Sequence, residues 1–169
     1  KRGKMISAVD LLKGIAVGAS MDLALVEGAN GGLFTNYEGK AQAAVDALLK
    51  EDYDFVYVHV EAPDEMGHQG SIEKKIKAIE FLDQRVIEYI VNCLKNSGEA
   101  FCMLILPDHP TPIRVRTHTA NPVPYLLYDS TREENHTWCY NEREAGMSGI
   151  VRTKGYEMMA ELFSHTGGQ

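Results

Sequence analysis

Tyr53-Asp54-Phe55-Val56-Tyr57-Val58-His59-Val60, running straight into Glu61-Ala62-Pro63-Asp64-Glu65-Met66-Gly67-His68, is the stretch on which the reading of this chain turns. Its first half is aromatic and β-branched, the composition of a strand. Both faces of that strand are fairly apolar, as in a parallel sheet covered on either side. Its second half delivers an Asp and a His where the strand ends, and in open α/β sheets ligands gather outside the carboxyl ends of the strands. The arrangement recurs at Phe101–Leu106 (FCMLIL), a fully apolar run of strand length with Pro107-Asp108-His109-Pro110 directly behind it.

Between these two stretches, Ser71 to about Lys95 reads as the longest helix, with Ile72, Ile76, Ile79, Leu82, Val86, Ile90 and Leu94 in register. Glu73 favours its first turn through the helix dipole. Upstream, Tyr37–Leu49 predicts a helix whose apolar side carries Ala41, Ala44, Val45, Leu48 and Leu49. Leu23–Val26 predicts a short strand ending in the glycine cluster Gly28-Ala29-Asn30-Gly31-Gly32, read as a structural turn because the P-loop pattern is absent. Met5 to about Ala19 reads as a helix through Ile6, Val9, Leu11, Leu12 and Ile15, weakened by Gly14 and Gly18.

Downstream, Val123–Tyr128 predicts a strand with Pro124 at its start or on an edge. Glu133–Met147 is polar and irregular, a hairpin or a lid, and Lys154–Phe163 reads as an amphipathic terminal helix. No repeat, low-complexity stretch or linker interrupts the pattern. The alternation predicts an α/β protein, a three-layer α/β/α arrangement around a mostly parallel sheet.

Bulk properties narrow the function classes. The 169 residues suit one domain. A net charge of −7 argues against a general nucleic-acid surface, which needs a basic stripe. It leaves an anionic substrate open, because bound cations reverse the sign of a local field. No apolar run approaches the roughly 20 residues of a membrane span, so no membrane partner is expected. Cys93, Cys102 and Cys139 are odd in number, far apart and without a CxxC pair, which reads as reduced thiols in a cytoplasmic protein.

Asp64 and His68 are four apart, so a helical turn after the strand would put both on one face, able to grip a single ion. Imidazole with carboxylate suits Zn, Mn, Co or Fe better than Ca. The plain alternative is Asp64 as a helix cap and His68 as a surface residue. Glu61 and Glu65 are further candidate ligands or orienting groups, and His59, inside the strand, reads as a hydrogen-bonded core histidine. Asp108 and His109 leave their strand between two prolines that would fix the exit; the alternative is an exposed turn. His118 stands in Arg116-Thr117-His118-Thr119-Ala120-Asn121-Pro122, another proline-shaped entry to a strand. His136 and His165 lie in polar terminal regions and read as solvated. Three loops that each present Asp or His match the three protein ligands plus open position of a catalytic metal site. Arg114 and Arg116 are candidate anion contacts. Thr111, Thr117, Thr119 and Ser71 are nucleophiles by chemistry only, and nothing in their local sequence marks an activated hydroxyl.

DEMGH, the apolar strand followed by Asp108-His109, and THTANPVPYLLY together resemble the alkaline phosphatase superfamily. Within it, GLFTNYEGKAQAA and DFVYVHVEAPDEMGHQG resemble the archaeal-type branch of the cofactor-independent phosphoglycerate mutases. The resemblance implies Asp64, His68 and His118 as ligands of one divalent metal, and Asp108 and His109 as two ligands of a second. It implies two divalent ions, commonly Mn, with Zn, Co or Mg as alternatives. The activity implied is interconversion of 3-phosphoglycerate and 2-phosphoglycerate, a small phosphorylated substrate, through a phosphoserine intermediate in glycolysis and gluconeogenesis.

The family's first-strand Asp, its nucleophilic Ser and its inserted substrate domain have no counterpart in this sequence. Residues 1–169 are therefore expected to be the C-terminal portion of the metal-binding domain, with no catalytic nucleophile of their own and inactive alone. A sheet without that first strand is expected to expose an edge open to self-association. Three other readings stand beside this one. The chain could belong to another superfamily member, a phosphopentomutase, a phosphodiesterase or a phosphonate hydrolase. It could be a non-catalytic metal-binding domain, or a plain α/β module without metal.

Overall fold

A computed structural model of the chain describes residues 1–132 and 137–165. The reading of His136, and that of the His165 side chain, lie outside the described part. The chain divides into two units, Lys1–Ser97 with Thr111–His118 and Gly98–Pro110 with Thr119–Gln169.

The first unit is built on a parallel three-stranded sheet in the order β2-β1-β3: β1 is Gly3–Ile6, β2 Asp22–Ala24 and β3 Phe55–Val58. Met5 stands opposite Leu23 on one side and Tyr57 on the other. The central strand lies where a helix is expected. Met5 and Ile6 do continue a 3.6-residue stripe into Val9 and Leu12, but the chain breaks at Ser7, whose hydroxyl accepts from the Val9 N–H at 3.1 Å. The helix, α1, begins only at Asp10 and ends at Gly18. A four-residue strand holding a Gly and a Lys has no periodicity to show; its two partners make it a strand.

Helix α2, Tyr37–Lys50, is capped by the Asn36 side chain, which accepts from the Gly39 N–H at 2.8 Å. Tyr37, Ala41, Ala44, Val45 and Ala47 are buried with Met5 and Ile6 in the core. The Gly28–Gly32 loop closes on itself: the Gly32 N–H bonds Asn30 Oδ1, and the Asn30 N–H bonds Thr35 Oγ1. That supports the structural-turn reading.

After β3 come α3, Ala62–His68, and α4, Ile72–Leu82, whose N-cap is Ser71. A π-helical turn, Asp83–Ile87, leads on to α5, Glu88–Ser97. The expected single register therefore fails halfway. Val86, Ile90 and Leu94 are buried, whereas Ile72, Ile76 and Ile79 are 62%, 52% and 50% exposed. A π turn accommodates one extra residue and rotates α4 by about a quarter-turn or more relative to α5. The α4 isoleucines are swung off the core line, and Ala78 takes the buried place. The same turn aims Arg85 at Glu38 of α2, where it makes two bonds of 2.5 and 2.7 Å.

In the second unit, β4, Cys102–Ile105, pairs antiparallel with β5, Leu126–Asp129, in the register Cys102 to Asp129. The apolar run at 102–105 is thus a strand, as expected, and its pairing with the strand at 126–129 is antiparallel. β5 begins two residues after Pro124, which therefore sits before the strand. Residues 142–147 of the expected hairpin or lid form a short helix, α6, Glu142–Met147. A 3-10 turn, Gly155–Glu157, leads into the terminal helix α7, Met158–His165, which buries Met158 and Leu162.

Candidate metal centre

The centre is assembled around α3. β3 ends at Val58, and the chain passes His59 and Val60 to Glu61, whose carbonyl accepts from the Asp64 and Glu65 N–H groups at 3.0 and 3.1 Å. Pro63 lies in the first turn, where a missing N–H costs nothing. The helical turn carries Asp64 and His68 to one face, with Asp64 Oδ2 3.3 Å from His68 Nε2. His118 arrives from the separate segment Thr111–His118. Its Nε2 lies 3.4 Å from Asp64 Oδ1 and 3.1 Å from His68 Nε2. Asp64, His68 and His118 thus form a group whose ligating atoms all lie within 4.8 Å of one another.

Backbone chemistry aims the rings. The His68 Nδ1 stands 2.9 Å from the Arg116 carbonyl oxygen. A carbonyl only accepts, so Nδ1 donates, and the ring is turned with its Nε2 towards Asp64 and His118. Arg116 can present that carbonyl because its φ is +59°, a left-handed conformation uncommon for a residue with a Cβ. Its N–H and that of Val115 both bond the Pro112 carbonyl, at 2.8 and 2.9 Å, closing the turn that carries it.

Asp64 is held from the other side. The buried Thr111 hydroxyl donates to Asp64 Oδ1, and Lys75 Nζ donates to the Thr111 carbonyl at 2.7 Å. Gly67 permits the approach, since a Cβ there would lie 2.6 Å from the Thr111 carbonyl oxygen.

Do these donors fit a divalent ion? A tetrahedral ion with bonds of about 2.0–2.1 Å holds its ligand atoms roughly 3.3 Å apart. The His68 and His118 Nε2 atoms are 3.1 Å apart, and the contacts to Asp64 run to its two separate oxygens, Oδ2 to His68 at 3.3 Å and Oδ1 to His118 at 3.4 Å. With one atom from each residue the three lie within 4.8 Å, a spacing that small side-chain shifts bring to that of one ion. Two imidazoles and one carboxylate suit a borderline-soft transition ion. The side chains are 31%, 35% and 51% exposed in the order Asp64, His68, His118, which leaves the site open on one side. The residues fit.

Asp108 and His109 follow β4 in the second unit, as the sequence implies. The His109 N–H donates to Asp108 Oδ1 at 3.1 Å, and His109 Nε2 lies 3.3 Å from Asp108 Oδ2. The pair supplies two ligands at most. Ser71 is committed to capping α4 and Thr111 to Asp64, so neither hydroxyl stands ready as a nucleophile. Arg114 and Arg116 are exposed. Glu65 is not in the group.

Glu61 is not a ligand. It is 6% exposed and pairs with Lys40 of α2, which is fully buried, at 2.7 Å. Its other oxygen accepts from the Ala8 N–H at 3.1 Å and lies 3.4 Å from His59 Nδ1. Burial pushes the Glu61 carboxyl up, but the bonds from His59 and Lys40 and the Lys40 charge outweigh it and hold the group at about 2. His59 is accordingly a hydrogen-bonded, largely buried histidine, 3.5 Å from the Ser7 hydroxyl. Reading the sequence misses the positions of Lys40, Lys75 and the Arg116 carbonyl. Lys40 does leave a signal: it occupies a place on the buried stripe 37-40-41-44-45, where a lysine demands a partner.

Comparison with known proteins matches residues 1–159 to the Metalloenzyme superfamily. The chain is 50% identical over 155 residues to the 2,3-bisphosphoglycerate-independent phosphoglycerate mutase of Methanosarcina mazei, which is 90% of this chain and 38% of that protein. It is 44% identical over 163 residues to the enzyme of the same name from Methanothrix thermoacetophila, 96% of this chain and 41% of that protein. Among solved structures, the PH0037 protein from Pyrococcus horikoshii matches with a TM-score of 0.85 at 32% identity, over 97% of this chain and 48% of the other. The α/β architecture fits an alkaline-phosphatase-like fold. The chain spans about two fifths of the length of the curated relatives it matches.

Proposed function

The chain belongs to the Metalloenzyme superfamily, and from that premise we propose that it is the metal-binding part of a cofactor-independent phosphoglycerate mutase, acting on 3-phosphoglycerate and 2-phosphoglycerate. The convergence of Asp64, His68 and His118 in a chain half identical to such mutases carries the reading. A divalent ion, Mn first among the candidates, would offset phosphoryl charge and lower the pKa of a bound oxygen nucleophile.

This chain's residues supply the setting. Asp64 brings the negative charge, Thr111 fixes its orientation, and His68 turns its Nε2 inward. Asp108 and His109 are assigned to a second ion, to which they bring two ligands. No serine of this chain is assigned as the nucleophile, and the 169 residues alone are expected to show no mutase turnover. None of the described helices is long and apolar enough to cross a membrane; a cytoplasmic place in glycolysis or gluconeogenesis belongs to the same proposal. So does self-association through an outer strand of the sheet, for which a strictly monomeric mass in scattering at high concentration would be the contrary result.

Titration calorimetry with Mn at neutral pH tests the metal reading. One firm site is expected, abolished by His68→Ala and retained by Asp108→Ala. A folded chain that binds no Mn, or that loses binding with Asp108→Ala and keeps it with His68→Ala, overturns the assignment.

A further inference from the structure

The most heavily buried charges in the first unit are not ligands. Lys40 is 0% and Glu61 6% exposed, and together they join three separate pieces of chain. The Lys40 ammonium, on α2, donates to Glu61 Oε2 at 2.7 Å and to the His59 carbonyl at the end of β3 at 3.0 Å. Glu61 Oε1 accepts the Ala8 N–H, on the exit from β1. The backbone of Glu61 is the entrance to α3 and receives the N–H of Asp64 itself. One carboxylate therefore ties the carboxyl ends of β1 and β3 to α2 at the point where the ligand-bearing helix begins.

We propose that Lys40 and Glu61 are positioning residues for the metal centre: their pair fixes the start of α3 and so sets where Asp64 and His68 stand relative to His118. The inference rests on the metal reading of that trio and extends it to two residues outside the trio. The geometry is short and stiff. Asp64 lies three residues beyond Glu61 within the first turn, and His68 one turn further along the same seven-residue helix. A displacement of the Glu61 backbone is passed to Asp64 through the bond that its N–H makes to the Glu61 carbonyl. The turn that carries His118 takes its shape from its own bonds, the Val115 and Arg116 N–H groups to the Pro112 carbonyl, and not from Glu61. The grouping of the three ligand atoms within 4.8 Å of one another is then lost. Outer groups that orient metal ligands commonly govern affinity by about 10–100-fold.

The test is Mn titration calorimetry on the 169-residue chain at a temperature well below every variant's unfolding midpoint. Lys40→Met and Glu61→Gln should each weaken Mn binding by about tenfold or more. The double variant should weaken it no further than the worse single variant, since both act through one link. Lys40→Met leaves a carboxylate without its cation in the interior and can unfold the chain; the double variant removes both charges and carries the test in that event. Val86→Ala, a core truncation in the π turn, separates positioning from general destabilisation: it should lower the midpoint and leave the Mn dissociation constant unchanged. Lys40 and Glu61 variants that fold and bind Mn as the parent does overturn the proposal, as does a Val86→Ala loss equal to theirs. Asp64→Asn completes the series. If the parent chain binds no Mn, the metal reading fails and this inference with it. If the parent binds, Asp64→Asn does not, and the Lys40 and Glu61 variants bind normally, the positioning role alone fails.

Discussion

The two ends of α3 are held by different physics. At its start, Glu61 is shut away from water and bonded to Lys40, the Ala8 N–H and His59. At its end, His68 is about a third exposed and held by one carbonyl, while Gly67 lets the Thr111 backbone come close. The start is an electrostatic anchor, closed because a buried charge without its partner is costly. The end is a steric fit and is partly open, as the proposed metal role of Asp64 and His68 requires. A seven-residue helix is too short to hold its own shape in water, so the geometry of its two ligands comes from these two attachments. Variants at each end show whether the division is real.

The largest effect is expected at the anchor. Removing one partner of a buried ion pair costs about 3–5 kcal/mol, whereas removing both together is often close to neutral. Lys40→Met should therefore lower the urea-unfolding free energy by about that amount, with most of it recovered in Lys40→Met/Glu61→Gln. A loss below about 1 kcal/mol, in the range of exposed pairs, would mean that the start of α3 is not held by charge.

The anchor should also show in acid, with a definite sign. The Glu61 carboxyl lies at about 2 in the folded chain against an ordinary value of 4.5. A depressed carboxyl contributes stability that is complete above the ordinary value and disappears as pH falls towards the folded one. The metal-free chain should thus lose on the order of 2–3 kcal/mol through this group between about pH 5 and pH 2. Glu61→Gln should flatten that part of the profile when unfolding free energies are compared across the window. Equal slopes for the two proteins would break the link between the carboxylate and the anchor.

The same division separates the legible from the hidden in the sequence. The open end was readable: Asp64 and His68 four apart after a β-rich run imply a shared helical face, and α3 provides it. His118 joins them from a loop singled out for its prolines and polar neighbours. What escaped is carried by atoms without a residue signature. The Arg116 carbonyl acts through a left-handed φ at a residue whose side chain invites an anion-binding reading instead. Strand β1 escaped because Gly3 and Lys4 suit a strand only between β2 and β3, and Met5 and Ile6 fitted the helical period of the next segment. The long helix was readable as a helix but not in its facing, because the π turn at 83–87 offsets two apolar stripes that look continuous on paper. Lys40 stood on the apolar stripe of a correctly read helix, and only its pairing with Glu61 makes sense of it.

The open end gives smaller effects and a sharper contrast, because two glycines in helices predict opposite outcomes. An alanine Cβ at Gly67 would meet the Thr111 carbonyl oxygen at 2.6 Å and the Lys75 ammonium at 2.9 Å. The ammonium sits on a flexible stem and can give way. The carbonyl is backbone, tied to the segment that carries His118, so relief must come from α3 moving off or from that segment moving out. Gly67→Ala should cost about 1–3 kcal/mol, the usual range for overpacking. It should weaken Mn binding by about tenfold through the same outward shift of His68. Gly14, inside α1, has nothing within 4 Å of where a Cβ would stand. There the substitution only removes backbone freedom from the unfolded chain, so Gly14→Ala should stabilise by about 0.5–1 kcal/mol and leave Mn affinity alone. If Gly67→Ala behaves like Gly14→Ala in both readouts, the close approach at Thr111 is not what fixes the end of α3, and the carbonyl of Arg116 alone must be holding His68.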